Sequence, residues 1–132
     1  MEAVLRRRSN APGAAKLRRI LSGDTPIILS KLEKGFLRRL RDARMPLPCT
    51  NRKLDEGYVD CRWPEHRLTV ELDSYRFHSS RWAWEEGLRR QRAAIRRGDE
   101  FRRCSWTDVF DEPDAMLADL RRLLGCAGSS TA

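Results

Sequence analysis

Apolar and polar positions along the chain follow two periods, and the first of them is helical. Ser30 is a favourable N-cap residue, and Glu33 lies three residues further on, which is the spacing of a capping box. The apolar residues after this cap recur at i, i+4, i+5 and i+8: Leu32, Phe36, Leu37 and Leu40. This spacing predicts an amphipathic helix from Ser30 to about Ala43.

The second period is strict alternation, which is typical of strands. It runs from Arg67 to Tyr75, and residues 58–63 form a second strand candidate before the turn at Pro64, Glu65 and His66. The pattern therefore predicts a hairpin whose second strand is half buried, with two different faces. One face of that strand carries Leu68, Val70 and Leu72, and the other carries Thr69, Glu71 and Asp73.

The second half of the chain predicts two helices around one short strand. Ser79 or Ser80 can cap a long helix that continues to about Arg97 and is closed by Gly98. Residues 100–104 are a strand candidate, residues 107–110 a helical turn, and Pro113 opens the last helix. The order is helix, strand, strand, strand or extension, helix, strand, helix, which predicts an α/β sandwich. We expect one domain over residues 14–125, with flexible tails at 1–13 and 126–132.

The long helix has one face that we expect to pack on the sheet and another that is basic. Trp84, Leu88, Gln91 and Ile95 recur at i, i+4, i+7 and i+11. Gln91 is then a buried amide that needs partners, either the acidic residues of the sheet or nearby backbone. The remaining surface is basic and offers candidate phosphate contacts: Arg81, Arg89, Arg92, Arg96 and Arg97.

Composition favours a basic, soluble domain. The 132 residues include 27 Lys and Arg against 19 Asp and Glu, a net charge of +8 and a pI of about 10.0. This charge indicates either nucleic-acid binding or Arg-rich solvated helix faces. The cysteines lack metal-finger spacing, which disfavours a zinc site. Because the sequence shows no membrane span and no signal peptide, we expect a cytoplasmic protein.

Three carboxylates are predicted to share one face of the hairpin. The short turn places Asp60 opposite residue 70 or 71, so it can meet Glu71 and Asp73. Crowded carboxylates favour a hard divalent cation such as Mg²⁺. The alternative is that these acids form ion pairs with arginines on a solvated strand face. His78, five residues after Asp73, is either a general base, a phosphate contact or a structural loop residue.

The stretch from Tyr58 to His78 resembles the bacterial family called domain of unknown function 559. That family is related to the very-short-patch-repair (Vsr) endonucleases of the PD-(D/E)XK superfamily. The resemblance rests on Val59–Asp60, Trp63–Pro64, the run from Val70 to Asp73, and His78. Further matches lie in the first helix, at Asn51, and at Ser105–Trp106, so the similarity covers about residues 14–125.

The resemblance implies a restriction-endonuclease-like, three-layer α/β core, with a mixed central sheet flanked by helices. It also implies metal-dependent cleavage of DNA. Asp60 and Glu71 would take the first two acidic positions and hold Mg²⁺, or Mn²⁺ in its place, with Asp73 as a third ligand. Asp73 occupies the position where the superfamily usually has lysine, which Vsr-like proteins also lack. Glu33 and His78 match further catalytic positions, and Gln91 would reach the site from the long helix.

The resemblance therefore implies a Mg²⁺-dependent DNA endonuclease that needs no small-molecule cofactor. Four positions depart from the family pattern. Ser74 replaces a glycine, Gly87 and Gln91 stand where aspartates are common, and Asp99 stands where an aromatic residue is common. These departures keep two alternatives open. One is a catalytically degraded nucleic-acid-binding domain. The other is a protein-interaction component of a defence or toxin–antitoxin system.

Overall fold

A computed structural model of the protein describes residues 25–73 and 80–125. The predicted tails, His78 and Ser74 lie outside these ranges. The described elements follow in this order: α1 (Thr25–Asp42), β1 (Cys49–Lys53), β2 (Tyr58–Trp63), a 3₁₀ turn (Pro64–His66), β3 (Leu68–Asp73), α2 (Arg81–Arg96), β4 (Glu100–Cys104), a π-type turn (Thr107–Asp111) and α3 (Pro113–Leu123). The predicted α/β class is confirmed.

The four strands form one mixed sheet in the order β1-β2-β3-β4. Strands β1, β2 and β3 are antiparallel neighbours, whereas β4 runs parallel to β3. Asp60 pairs directly with Glu71, one of the two partners that the turn length allowed. The register also aligns Asn51 with Asp60, and Glu71 with Arg103. One row of polar residues therefore crosses all four strands.

Helix α1 begins at Thr25, five residues earlier than predicted, so the expected N-cap at Ser30 is wrong. Pro26 is the second residue of the helix, a position where the missing N–H of proline has no intrahelical partner to lose. Leu29 adds one more turn to the apolar stripe. Burial of this stripe against the sheet, rather than a cap at Ser30, therefore sets the length of the helix.

The hydrophobic core lies between one face of the sheet and helices α1 and α3. Phe36 of α1 packs edge-on against Trp63 of β2, with ring centroids 6.3 Å apart. The indole Nε1 of Trp63 donates to the carbonyl of Pro46 at 2.9 Å, which satisfies its polar atom. Core residues come from α1, the sheet and α3: Leu29, Leu32, Phe36, Leu40, Val59, Cys61, Trp63, Leu68, Val70, Leu72, Met116 and Leu120.

Helix α2 covers the opposite face of the sheet, but not with the predicted residues. Its buried positions are Gly87 and Ala94, whereas the side chains of Trp84 and Ile95 are 53% and 57% exposed. The expected apolar face is therefore wrong. The sheet face beneath α2 carries charged side chains, so small residues and Arg90 approach it instead. The helix ends were predicted correctly, since Ser80 accepts from the backbone of Ala83 and Gly98 has a left-handed φ.

Strand β3 is buried on both faces, which corrects the expected half-buried strand. Glu71 and Asp73 are 2% and 4% exposed, because α2 and its arginines cover them. Among the described helices, none is long and apolar enough to cross a membrane.

Candidate functional site: a buried acidic row paired with arginines

The face of the sheet beneath α2 carries polar side chains from every strand. Because directly paired residues point to the same face, Asp60 and Glu71 lie side by side, and so do Tyr58 and Asp73. Arg103 of β4 lies on the other side of Glu71. We call Asp60, Glu71 and Asp73 the acidic row. The structure brings together these three carboxylates, which the sequence predicted to share a face.

Glu71 of the acidic row is bound by two arginines. Arg90 of α2 binds it bidentately, with Nε 2.8 Å from Oε2 and Nη2 3.1 Å from Oε1. Arg103 adds a longer contact of 3.5 Å to Oε1. The side chain of Glu71 is only 3% exposed, so these charge-assisted bonds hold a carboxylate that water scarcely reaches.

Asp73 pairs with the other arginine of the site. Arg103 Nε lies 2.6 Å from Asp73 Oδ2. Burial, together with the charge of Glu71, raises the pKa of Asp73 to about 7, although Arg103 and Arg90 oppose the shift. The site thus holds a carboxyl group that titrates near neutral pH.

Tyr58 lies at one end of the acidic row, as the cross-strand partner of Asp73. The guanidinium of Arg90 lies 4.0 Å from the centroid of the Tyr58 ring, a cation–π contact. Burial raises the pKa of Tyr58 to about 12, so the phenol is neutral at physiological pH. Arg90 is therefore fixed by Glu71 on one side and by the Tyr58 ring on the other.

Asp60 differs from its two neighbours because it has no hydrogen bond or salt bridge to another described residue. It is half-buried and lies between Asn51 and Glu71 in the sheet. Burial and then repulsion by Glu71 raise the pKa of Asp60. Positive charge is supplied only from a distance, by Lys53, Arg97 and Arg62. A cation bound at Asp60 would relieve this repulsion.

Asp99 forms a second charge cluster on the same face, which was not predicted. Its carboxylate accepts from Arg62 at 2.9 and 3.1 Å and from the hydroxyl of Thr69 at 2.8 Å. Hydrogen bonding to Arg62 lowers the pKa of Asp99. One sequence signal existed: Asp99 follows the C-terminal end of α2, where the helix dipole disfavours an acid, so a specific cationic partner was to be expected.

Glu33 does not join the acidic row, although the resemblance assigned it to the site. It lies on the opposite face of the sheet, where it accepts a 2.7 Å hydrogen bond from Thr50 and pairs with Arg52 at 2.8 Å. Thr50 and Arg52 alternate with Asn51 along β1, so they point away from Asp60. The structure therefore does not bring Glu33 to the acidic row, and a catalytic role for Glu33 stays a prediction.

The remaining predicted residues of α2 divide into one half-buried amide and an exposed basic surface. Gln91 is half-buried, one position beyond Arg90. Arg81 and Arg89 are exposed and pair along the helix with Glu85 and Glu86. Arg92 and Arg96 are exposed and form no ion pair with the described part of the chain. The predicted phosphate contacts are thus accessible, and two of them have no acidic partner in those ranges.

Two members of the acidic row have the chemistry of a Mg²⁺ site. Mg²⁺ commonly uses one or two carboxylates and completes its shell with water and phosphate oxygens. Asp60 is unpaired among the described residues. Among the same residues, Oε2 of Glu71 accepts from Arg90 alone and keeps a second lone pair, whereas Oε1 accepts from both Arg90 and Arg103. Asp60 and Glu71 can therefore hold the ion. Asp73 Oδ2 is already held by Arg103, so its role as a third ligand stays a prediction.

Within residues 25–73 and 80–125, no group of three or more His, Cys, Asp and Glu side chains is arranged to hold a metal. Comparisons with protein-family models, with curated proteins and with solved structures find no match for this chain.

Proposed function

We propose that this chain is a restriction-endonuclease-like domain that hydrolyses DNA phosphodiester bonds with Mg²⁺ held by Asp60 and Glu71. One observation carries the proposal: Asp60 and Glu71 are direct cross-strand partners on a sheet face beneath a basic helix. Two adjacent carboxylates repel each other, and a divalent cation bound between them would relieve this repulsion. The resemblance to Vsr-like endonucleases supports the same reading.

The chain's own residues have distinct roles in this reaction. Bound Mg²⁺ would lower the pKa of a water molecule and stabilise charge on the phosphate. Arg90 holds the Glu71 carboxylate in one orientation, and Arg103 forms an ion pair with Asp73. The exposed guanidinium groups of Arg92 and Arg96 hold the DNA backbone through its phosphates. Binding by phosphate contacts alone gives no base specificity.

The decisive experiment is cleavage of supercoiled plasmid in Mg²⁺, Mn²⁺ or EDTA. We expect nicking by the wild type in both metals and none in EDTA. Asp60→Asn should abolish nicking, because it removes the charge that binds the ion while preserving the shape of the side chain. The fold should survive, because Asp60 has no hydrogen-bond partner to lose among the described residues and its charge repels Glu71.

Asp55→Asn is the matched control, since Asp55 is an exposed acid in the β1–β2 turn. Thermal unfolding of both variants checks that the fold is retained. Nicking that is equal in Asp60→Asn and wild type would overturn the assignment of Asp60, even if the protein cleaves DNA by other groups.

The hydrogen bonds that Glu71 already accepts favour a second function, nucleic-acid binding without cleavage. Both of its oxygens already accept hydrogen bonds from Arg90, so the arginine supplies the positive charge that a metal would bring. This arrangement suits a domain that binds nucleic acid without cutting it. The same plasmid assay distinguishes the two: a mobility shift that weakens with salt, without nicking in Mg²⁺ or Mn²⁺, identifies the binding domain.

A further inference from the structure

A groove lies on the opposite side of the sheet from the acidic row. It runs between helix α1 and the turn that follows β4, and its volume is about 530 Å³. This volume falls in the range of roughly 300–1,000 Å³ that is typical of ligand clefts. Gly35 and Arg38 line one side, and Trp106 and Phe110 line the other. None of these residues belongs to the acidic row.

The aromatic wall of the groove is held in place by close packing. A Cβ atom at Gly35 would lie 2.5 Å from the ring of Phe110, so only glycine allows the turn to approach α1 this closely. Trp106 packs against Phe110 with ring centroids 4.4 Å apart, yet it remains 39% exposed. Arg39 fixes the turn by donating to the carbonyls of Val109 and Phe110. The groove thus presents a positioned, partly exposed indole.

The other wall of the groove is basic. Lys31, Lys34 and Arg38 recur at i, i+3 and i+7 along α1, so they share one face of the helix. All three are exposed, and none forms a salt bridge with the residues that the structure describes. Asp42 is the one acidic residue in the lining. Such a wall attracts a ligand with negative charge, whereas the indole offers a flat apolar surface.

We propose that this groove binds a nucleotide unit with an unpaired base, which stacks on Trp106 while its phosphates contact Lys34 and Arg38. Aromatic side chains beside a basic track are the usual means of binding single-stranded nucleic acid. A base within a duplex cannot offer its face to an indole, so the groove selects an unpaired base. The proposal is independent of the acidic row and needs no metal.

The test is binding of a fluorescent oligothymidylate of about eight nucleotides to the full chain, in EDTA, followed by anisotropy. Trp106→Ala should raise the Kd by about five-fold or more, since stacking on one aromatic residue has that effect. Trp82→Ala is the control, because Trp82 is 66% exposed but lies on α2, across the sheet. Equal losses in the two variants, or no loss in Trp106→Ala, would overturn the proposal.

The phosphate contacts have a separate readout that does not depend on the indole. Lys34→Gln combined with Arg38→Gln should reduce the slope of log Kd against log salt by about 1.4, or 0.7 for each lost contact with a single strand. Arg41→Gln, an exposed arginine of the same helix outside the groove lining, should leave the slope unchanged. An unchanged slope in the double variant would contradict the assigned phosphate contacts.

Competition experiments distinguish a free nucleotide from a nucleic-acid strand as the ligand of the groove. Displacement of the oligonucleotide by AMP identifies a free-nucleotide site, whereas displacement only by longer strands identifies a strand-binding site; both support the proposed chemistry. Pyrophosphate that competes as well as AMP would refute the stacking contact. Because metal is absent throughout, a protein that fails to cut plasmid can still pass this test, and a working nuclease can fail it.

Discussion

Two glycines in helix interiors provide a matched test of how closely the elements pack. Gly35→Ala and Gly87→Ala each gain about 1 kcal/mol of helix propensity. At Gly35 the new Cβ would lie 2.5 Å from the Phe110 ring, and overpacking of this kind costs typically about 1–3 kcal/mol. At Gly87 the nearest atom is Arg103 Nη2 at 3.1 Å, the end of a long side chain that needs to move only slightly.

We therefore expect Gly35→Ala to lower the free energy of unfolding by up to about 2 kcal/mol and Gly87→Ala to leave it unchanged or raise it slightly. Urea denaturation of the two variants beside wild type measures the difference. Both substitutions add one methyl group in the interior of a helix. They differ only in the side chain that the new methyl group meets. A Gly35→Ala variant as stable as Gly87→Ala would refute the close approach of α1 to the turn.

Two further predictions concern buried carboxyl groups. The pKa of Asp73 is raised from 3.8 to about 7, so between these values the folded protein keeps a proton that the unfolded chain has released. As pH rises from about 4 to 7, the free energy of unfolding of wild type should therefore fall relative to that of Asp73→Asn, by up to about 4 kcal/mol. Urea titrations at several pH values measure this difference, and parallel pH profiles of the two proteins would contradict the prediction. Asp99→Asn should lower the free energy of unfolding by about 2 kcal/mol at pH 7, because it weakens the charge-assisted bonds to Arg62. Since the pKa of Asp99 is lowered, this difference should shrink as pH falls below about 3.8, and a difference that persists there would argue against the ion pair.

The sequence by itself determined the strand register to within one residue, and it also determined the ends of several elements. The alternation of β3 and the short turn before it placed Asp60 opposite residue 70 or 71, and Glu71 is the observed partner. The strand at Glu100–Cys104 was predicted at its observed bounds. Ser80 and Gly98 likewise marked the ends of α2. These features depend on residues close together in the chain, whose spacing fixes which side chains share a face.

Only the tertiary structure decided which groups surround the acidic row. Arg90 and Arg103 reach Glu71 from 19 and 32 residues further along the chain, a distance over which periodicity carries no information. The same applies to Glu33, whose helix packs on the opposite face of the sheet, beside Thr50. The buried face of α2 was predicted wrongly because apolar residues were expected to face the sheet. The sheet instead presents buried charges there. The small residues Gly87 and Ala94 pack over them, and Arg90 pairs with the Glu71 carboxylate.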